Sequence, residues 1–218
     1  MSINQTGEKF QLPKLVDAQN LTKKIVKDVA SKVEVGMNEA DGLALLNHEF
    51  SKYGDIKFWH PHKFRIGKNT LCAFKEESDL SISLKANDHF FIDVGPVFFD
   101  HEGDYGETFI MGINPQALRL KNVSEQLFQE VKTEFFKNHC SGKDLYEFLA
   151  KRSKALDVNL NLKTLGHRVG DFPHHLFYRG KMAEVEEILI PNLWVLEVQI
   201  ADSKNEIGAF FEDIIWQQ

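Results

Sequence analysis

Five residues between positions 93 and 212 have the side-chain types of a metal centre. Four are carboxylates set in apolar segments and one is a histidine in a glycine-flanked segment: Asp93, Asp104, His167, Glu197 and Glu212. A carboxylate in an apolar segment costs free energy unless a partner pairs with it or coordinates it. Oxygen-rich ligation with one imidazole suits Mn, Fe, Co or Zn. These residue types therefore predict a divalent-metal site.

Residues 90–112, FFIDVGPVFFDHEGDYGETFIMG, contain two of these carboxylates. Two apolar runs flank a polar turn at residues 100–103, a pattern that predicts an antiparallel hairpin. Asp93 and Asp104 would then lie side by side and repel each other, so a cation between them explains the pair. The alternative is a hydrogen-bonded core acid at Asp93 and a turn residue at Asp104, and this segment alone does not decide between them.

Two further strand-like segments carry acids among bulky apolar residues. They are residues 193–201, LWVLEVQIA, with Glu197, and residues 208–216, GAFFEDIIW, with Glu212. Neither segment contains a Lys or Arg, so structural ion pairs explain these acids poorly. Several carboxylates able to bridge indicate two ions close together, an arrangement that activates water for hydrolysis.

The remaining elements form a repeated helix–strand pattern. Apolar periodicity and capping residues predict four helices, over residues 17–35, 38–53, 114–137 and 141–156. A pair of helices precedes strands twice, with Asn38 and Ser141 as corresponding N-caps. This weak internal repeat predicts a duplicated α+β layout in which the strands form one central sheet.

Composition places the chain among ordinary globular proteins. Its 218 residues carry a net charge of −6 without a basic stripe, which argues against nucleic acid as a partner. There is no signal-like N-terminus, no long apolar run and no CxxC motif, so we expect a cytoplasmic protein without membrane contact. We expect an N-terminal tail at residues 1–16 and a single catalytic domain at residues 17–218.

The order and context of the five residues resemble the methionine aminopeptidase, Xaa-Pro aminopeptidase and prolidase family. The matching segments are FIDVG, GDYGETF, GHRVG, VLEV and FFEDI, and VEVGMNEAD is similar to a turn common in that family. The resemblance covers the chain from about residue 17 to its end. It implies the α+β pita-bread fold, with pseudo-twofold duplicated helices packed on a central curved antiparallel sheet.

The resemblance also implies a role for each of the five residues at a centre of two divalent ions (Mn, Co, Fe or Zn). Asp93 would hold one ion, and His167 and Glu197 the other. Asp104 and Glu212 would bridge both. A water between the ions would be the nucleophile, with Glu197 as the proton shuttle.

Three other residues gain candidate roles from the same resemblance. His174 lies seven positions after His167, where the family has a histidine that contacts the substrate or the tetrahedral intermediate. We therefore predict His174 as catalytic, and His174 and His175 as substrate-binding. Thr108 would support the metal ligands. The structural alternatives are an exposed loop histidine at 174 and an ordinary strand residue at 108.

The sequence departs from the family pattern at three places. The family has a further histidine shortly before the first aspartate, where this chain has Phe74-Lys75-Glu76. His60 and His62 lie further back and would reach the site only if their loop folds inward; two polar loop histidines are the simpler expectation. Loss of a positioned proton donor costs about 10²–10⁴-fold in rate. In addition, His175 stands where an acid is usual, and Val198 where Pro is usual.

Three functions follow in order of preference. The first is a dinuclear aminopeptidase or dipeptidase that hydrolyses the N-terminal bond of a short peptide or small amide, Xaa-Pro-like or Met-like. The second is a metalloenzyme on the same scaffold with a non-peptide substrate, acting by C–N hydrolysis or iron-dependent oxidation. The third is a binding protein without catalysis, which has no need for four buried carboxylates. The 18 Phe residues also leave room for an apolar surface that a homodimer would bury.

Overall fold

Four helices cover one face of a central antiparallel sheet in the computed structural model, which describes residues 2–202 and 204–217. The helices are α1 (Leu12–Ala30), α2 (Glu39–Ser51), α3 (Pro115–Asn138) and α4 (Gly142–Ala155). They confirm the four predicted helices. The described residues do not include residues 1 and 218, which are the outer limits of the predicted domain organisation. They also do not include Ser203, which falls within the predicted domain.

The strands of the described residues form a large sheet and a small one. They are β1 (Lys57–Phe58), β2 (Lys63–Ile66), β3 (His89–Val94), β4 (Pro96–Phe98), β5 (His101–Glu102), β6 (Tyr105–Ile110), β7 (Asn159–Leu160), β8 (His167–Arg168), β9 (Trp194–Asp202) and β10 (Ile207–Ile214). The large sheet has the order β2-β3-β6-β10-β9-β7, with β8 also paired to β9, and the small sheet has the order β1-β4-β5. All these pairs are antiparallel.

The predicted hairpin is present and carries a second hairpin at its tip. β3 pairs with β6 from His89↔Ile110 to Val94↔Tyr105. The polar turn lies within the inserted pair β4–β5, where Phe99 and Asp100 have φ angles of 56° and 62°. Two successive residues at positive φ are typical of a tight two-residue hairpin turn.

Helix α1 begins and ends earlier than the periodicity predicted. Pro13 lies in its first turn, where a missing N–H donor costs nothing, and Leu15 extends the buried stripe towards the N-terminus. Residues 12–16 are therefore helical. Val33 is buried from the turn that follows the helix, which explains why it matched the helical spacing.

The helix caps confirm the predicted correspondence between the two halves. Asn38 and Asp41 form a reciprocal capping box at α2, and Ser141 and Asp144 form the same box at α4. Each half has its own apolar core between its helix pair and the sheet. None of the helices in the described part of the chain combines the length and apolarity that a membrane span requires.

Candidate metal centre

The strand register aligns three of the five predicted ligands across neighbouring strands. Asp93 on β3 lies opposite Gly106 on β6, Gly106 lies opposite Glu212 on β10, and Glu212 lies opposite Glu197 on β9. Directly opposite residues point to the same face of a sheet. The row therefore lies on the face away from the helices, and Asp104, two residues before Gly106, extends it.

Gly106 makes room for the carboxylates, a role that the sequence analysis missed. A Cβ atom built at this position would lie 2.8 Å from Oε1 of Glu212 and 2.4 Å from Cε1 of Phe210. Both neighbours are buried, Glu212 at 1% exposure and Phe210 at 3%. The glycine in GDYGETF therefore leaves the space that the Phe210 ring and the Glu212 carboxylate occupy.

The carboxylate oxygens have few protein partners. Both oxygens of Asp104 and Oε1 of Glu212 are buried and accept no hydrogen bond of good geometry. Such atoms are costly to bury unless something else neutralises them. Glu197 differs, because its Oε2 accepts a 2.6 Å hydrogen bond from the Gly166 N–H. The oxygens of Asp104 do face imidazoles, with Oδ2 at 2.8 Å from Nε2 of His167 and Oδ1 at 3.6 Å from Nε2 of His60. Buried carboxylates whose neighbours are imidazoles fit one or more divalent cations.

The donor atoms fall into two overlapping groups. One atom each from His60, Asp93 and Asp104 lies within 4.8 Å of the others, and the same holds for Asp104, His167 and Glu212. Asp104 belongs to both groups, which is the position that a bridging ligand needs. Glu197 is in neither of these two groups and stays a predicted ligand, next to Glu212 in the register.

His60 enters the site, contrary to the simpler expectation of a polar loop histidine. Its Nε2 lies 3.5 Å from Oδ1 of Asp93 and 3.6 Å from Oδ1 of Asp104. The pairing of β1 with β4 directs the following residues over Gly95, where a Cβ atom would lie 2.4 Å from the His60 ring. A glycine there lets the loop fold inward.

His62 has a purely structural position. Its ring stacks on Phe50 at 5.3 Å and meets Phe58 edge-on at 4.2 Å. Burial, with a smaller effect from His60, lowers the pKa of His62 to about 4. This histidine is neutral at ordinary pH and packs against Phe50 and Phe58.

The electrostatics of the carboxylates are those of a crowded acidic site. Burial raises the pKa of Asp93 and Glu197, and burial with repulsion from Asp104 and Asp93 raises the pKa of Glu212 well above its usual value. Burial acts the same way on Asp104, but the charges and hydrogen bonds of His167 and His60 together outweigh it and hold the pKa of Asp104 below its usual value. The protein alone leaves these acids incompletely neutralised.

The two imidazoles respond in the opposite direction. Burial would lower the pKa of His60, yet Asp93 and Asp104 raise it to about 9. Burial would likewise lower the pKa of His167, but the Asp104 carboxylate raises the pKa of His167 to about 9. Without a metal, these imidazolium ions are the cations that face the carboxylates.

Metal ions are therefore expected to stabilise the fold more strongly in mild alkali than in mild acid. In the folded protein without metal, His60 and His167 have pKa values of about 9, above the ordinary 6.5. Their protonation therefore stabilises the fold fully below pH 6.5, and this stabilisation is lost as pH rises through 9. The raised carboxyl pKa values act in the same direction. Thermal unfolding with chelator and with Co²⁺, at roughly pH 6 and roughly pH 8.5, should show the larger Tm increase at the higher pH. An equal increase at both values contradicts this prediction.

Glu102 fixes the orientation of His174, and the sequence analysis missed it as part of a polar turn. Its Oε2 lies 2.9 Å from Nδ1 of His174, and its Oε1 accepts a 2.9 Å hydrogen bond from the His174 backbone N–H. Glu102 is fully buried. A buried carboxylate on Nδ1 selects the tautomer that leaves Nε2 for the substrate. The sequence feature that could have identified Glu102 is its position two residues before Asp104, a predicted ligand.

Replacing Glu102 with Gln is expected to lower kcat by about 10- to 100-fold without loss of bound metal, because His174 loses its orienting charge. Steady-state kinetics and metal analysis of the same samples test this. Glu8→Gln, at an exposed glutamate, is the matched control and should behave like the wild type. Loss of metal from the Glu102 variant would show that Glu102 supports the ligands instead.

Gln19 holds the main chain of Asp104. Its side-chain amide donates to the carbonyl of Asp104 at 2.5 Å and accepts from the N–H of Asp104 at 2.7 Å. It also donates to Oδ1 of Asp213 at 2.8 Å, and Lys23 forms an ion pair with the same carboxylate at 2.5 Å. Helix α1 thus fixes the backbone of the shared ligand from the opposite face of the sheet.

A cavity of about 600 Å³ opens at the ligand row, with His167, His174 and Glu197 in its wall. Trp59 lines it and contacts the rings of His60, His167 and His174 at centroid distances of 4.3, 4.6 and 5.0 Å. This cavity therefore brings open space to Glu197 and to His167 and His174.

Two predicted residues lie at the margins of the site. His175 is exposed and meets the ring of His174 edge-on at 6.4 Å, so its predicted contact with substrate would come from the solvent side. Thr108 donates through its hydroxyl to the carbonyl of Phe210 at 3.0 Å and accepts from the same residue's N–H at 2.8 Å. Thr108 therefore joins β6 to β10.

The sheet, its helices and the acidic row define a pita-bread protein with candidate metal-binding residues. The sequence matches Metallopeptidase family M24 over residues 14–216, and the chain belongs to that family. Both the fold and the family predicted from the five residues are confirmed. A search of curated protein sequences gives no significant match.

Solved structures share the fold at low sequence identity. An X-Pro aminopeptidase from Thermotoga maritima has a TM-score of 0.74 at 15% identity, over 96% of this chain and 63% of its own. A prolidase from Pyrococcus horikoshii has a TM-score of 0.74 at 16% identity, over 98% of this chain and 60% of its own. This chain thus spans about three fifths of those proteins. A methionine aminopeptidase from Thermotoga maritima matches at a TM-score of 0.75 and 15% identity, over 100% of both chains.

Proposed function

We propose that this chain is a metal-dependent aminopeptidase or dipeptidase that hydrolyses the N-terminal bond of a short peptide. The observation that carries the proposal is the pair of overlapping donor groups that share Asp104 beside an open cavity. Membership of a metallopeptidase family supports it. So do similar folds in an aminopeptidase and a prolidase.

The predicted ligands divide the work at this site. Asp93, Asp104, His167, Glu197 and Glu212 would hold two divalent ions, with Asp104 and Glu212 shared. Bound ions would supply Lewis acidity and lower the pKa of a water that attacks the amide carbon. Glu197, in the cavity wall, would carry the proton from that water to the leaving amine.

His174 and the cavity would position the substrate. The imidazole of His174, oriented by Glu102 through Nδ1, would present the lone pair of Nε2 to an N–H group of the peptide and so position the substrate. The cavity also has cationic side chains in its wall, among them Lys75, Arg179 and Lys181. They would favour peptides short enough to bring a free carboxylate into the cavity.

The test is hydrolysis of a peptide panel by Mn-, Co- and Fe-loaded protein, read by mass spectrometry. The panel should contain Met-Ala, Xaa-Pro and plain dipeptide N-termini, each also with a blocked C-terminus. Removal of a single N-terminal residue supports the proposal and identifies the preferred bond. Failure to cleave any peptide, with bound metal verified, contradicts it.

A second candidate is hydrolysis or iron-dependent oxidation of a small non-peptide substrate at the same site. It is favoured by the indole of Trp59, which packs against the three histidine rings and lines the cavity with a planar aromatic surface. Activity that requires iron and consumes dioxygen would support this candidate and exclude simple hydrolysis.

The metal and the compartment are also part of the proposal. We retain manganese as the first ion to test, because carboxylate-rich ligation suits it.

Both cysteines, Cys72 and Cys140, are free thiols, which supports a reducing cytoplasm. A homodimer stays a prediction that sedimentation would test.

A further inference from the structure

His60 and His167 face the two different oxygens of the Asp104 carboxylate. Nε2 of His167 lies 2.8 Å from Oδ2 of Asp104, and Nε2 of His60 lies 3.6 Å from Oδ1 of the same carboxylate. We propose that His60 is a sixth metal ligand, which gives each of the two ions one imidazole. This inference rests on the metal centre of the proposed function.

The separations suit ligands of a common ion. Donor atoms bound at about 2.1 Å to one cation lie roughly 3–4 Å apart. Nε2 of His60 lies 3.5 Å from Oδ1 of Asp93 and 3.6 Å from Oδ1 of Asp104, within this interval. His60, Asp93 and Asp104 therefore form one donor group, comparable to the group of Asp104, His167 and Glu212.

The second nitrogen of each ring is held in the same way. Nδ1 of His60 lies 2.9 Å from the carbonyl oxygen of Pro61, and Nδ1 of His167 lies 2.8 Å from the carbonyl oxygen of Arg168. A metal-binding histidine usually donates its other ring N–H to a carbonyl or carboxylate, which directs the free lone pair at the ion. Both rings here use the carbonyl of the next residue.

The surroundings also hold His60 in place. Its side chain is 8% exposed, between the ring of Trp59 at 4.3 Å and that of Phe74 at 5.3 Å. Gly95 leaves the space into which the imidazole fits. A merely polar loop residue needs none of these features, and they fix the ring towards the carboxylates.

A nitrogen donor on each ion has a chemical consequence. A site of carboxylates alone suits Mn and Mg, whereas imidazole favours Fe, Co and Zn. With His60 bound, the ion on the Asp93 side would have the same preference as the ion on the His167 side. The protein would then bind its two ions with more similar affinities than a centre made of the five predicted ligands alone.

The first experiment titrates metal-free protein with Co²⁺ and follows visible absorption and bound metal. We compare the wild type with His60→Gln, with His167→Gln as the positive comparison and His48→Gln, at an exposed histidine, as the control. His60→Gln is expected to bind one of its two ions at least about 10-fold more weakly, with altered absorption. Wild-type affinity and spectrum in a folded His60→Gln protein overturn the inference, even if its peptidase activity falls.

The second experiment needs no variant. In the Co²⁺-loaded wild type, each bound imidazole gives a paramagnetically shifted, exchangeable ring N–H proton signal in NMR. Two such signals support His60 as a ligand, and a single signal overturns it. Failure of the wild type to bind Co²⁺ at all would instead contradict the metal centre itself, so the two failures are distinguishable.

Discussion

Replacing Asp104 with Asn is expected to lower kcat/KM by more than about 100-fold. Loss of a residue that only supports a metal ligand costs about 10- to 100-fold, and Asp104 is itself a predicted ligand. Asp104 is the residue shared by both donor groups, and its two oxygens face His60 and His167 from opposite sides. Asn keeps the shape but has one oxygen and no charge. It can therefore serve at most one ion.

The same substitution should reduce bound metal, as measured by elemental analysis. Asp100→Asn is the matched control, because Asp100 is 70% exposed and pairs only loosely with Lys9 at 3.7 Å. It should retain both metal and activity. Wild-type peptide hydrolysis by the Asp104 variant would show that the assigned mechanism is wrong.

Replacing Gly106 with Ala is expected to damage both the packing and the metal centre, although it alters no polar group. The added methyl would lie 2.8 Å from Oε1 of Glu212 and 2.4 Å from the Phe210 ring. Phe210 is packed against Phe91 at 5.1 Å and has little room to move. Overpacking of this kind costs about 1–3 kcal/mol. Displacement of Glu212 should in addition weaken metal binding by at least about 10-fold.

Thermal unfolding and Co²⁺ titration of this variant test the two effects separately. Gly180→Ala is the comparison for a crowded methyl away from the carboxylate row, because its added Cβ atom would lie 2.4 Å from the Tyr178 hydroxyl oxygen. It should keep the metal affinity of the wild type, whatever its Tm. If Gly106→Ala binds two ions as tightly as the wild type, the row of carboxylates is less crowded than the register indicates.

Local chemistry explains which parts of this architecture were predictable. The capping boxes at Asn38 and Ser141 depend on residues three apart, and the strands around Glu197 and Glu212 have strongly apolar patterns. The four acidic candidate ligands were found because an acid in an apolar segment is a costly exception, and His167 because it lies in a glycine-flanked segment. The ligand roles assigned to them stay predictions for the titrations above.

Contacts distant in sequence account for what was missed. Gln19 reaches the backbone of Asp104 across 85 positions, and Glu102 reaches His174 across 72. Neither side chain is unusual in its own segment, since a glutamine on a helix and a glutamate in a turn are common. Their roles follow from burial that only the packed chain creates.

The sequence by itself determined the fold family, the four helices, the central strands and the identity of the candidate ligands. The helices and strands depend on side-chain type and on spacing within one segment, whereas the fold family follows from the resemblance that the order and context of the five residues carry. The tertiary structure alone decided that His60 turns into the site and His62 into the core. Both are histidines in one short loop, and the space left by Gly95 and the aromatic pocket of Phe50 and Phe58 separates them.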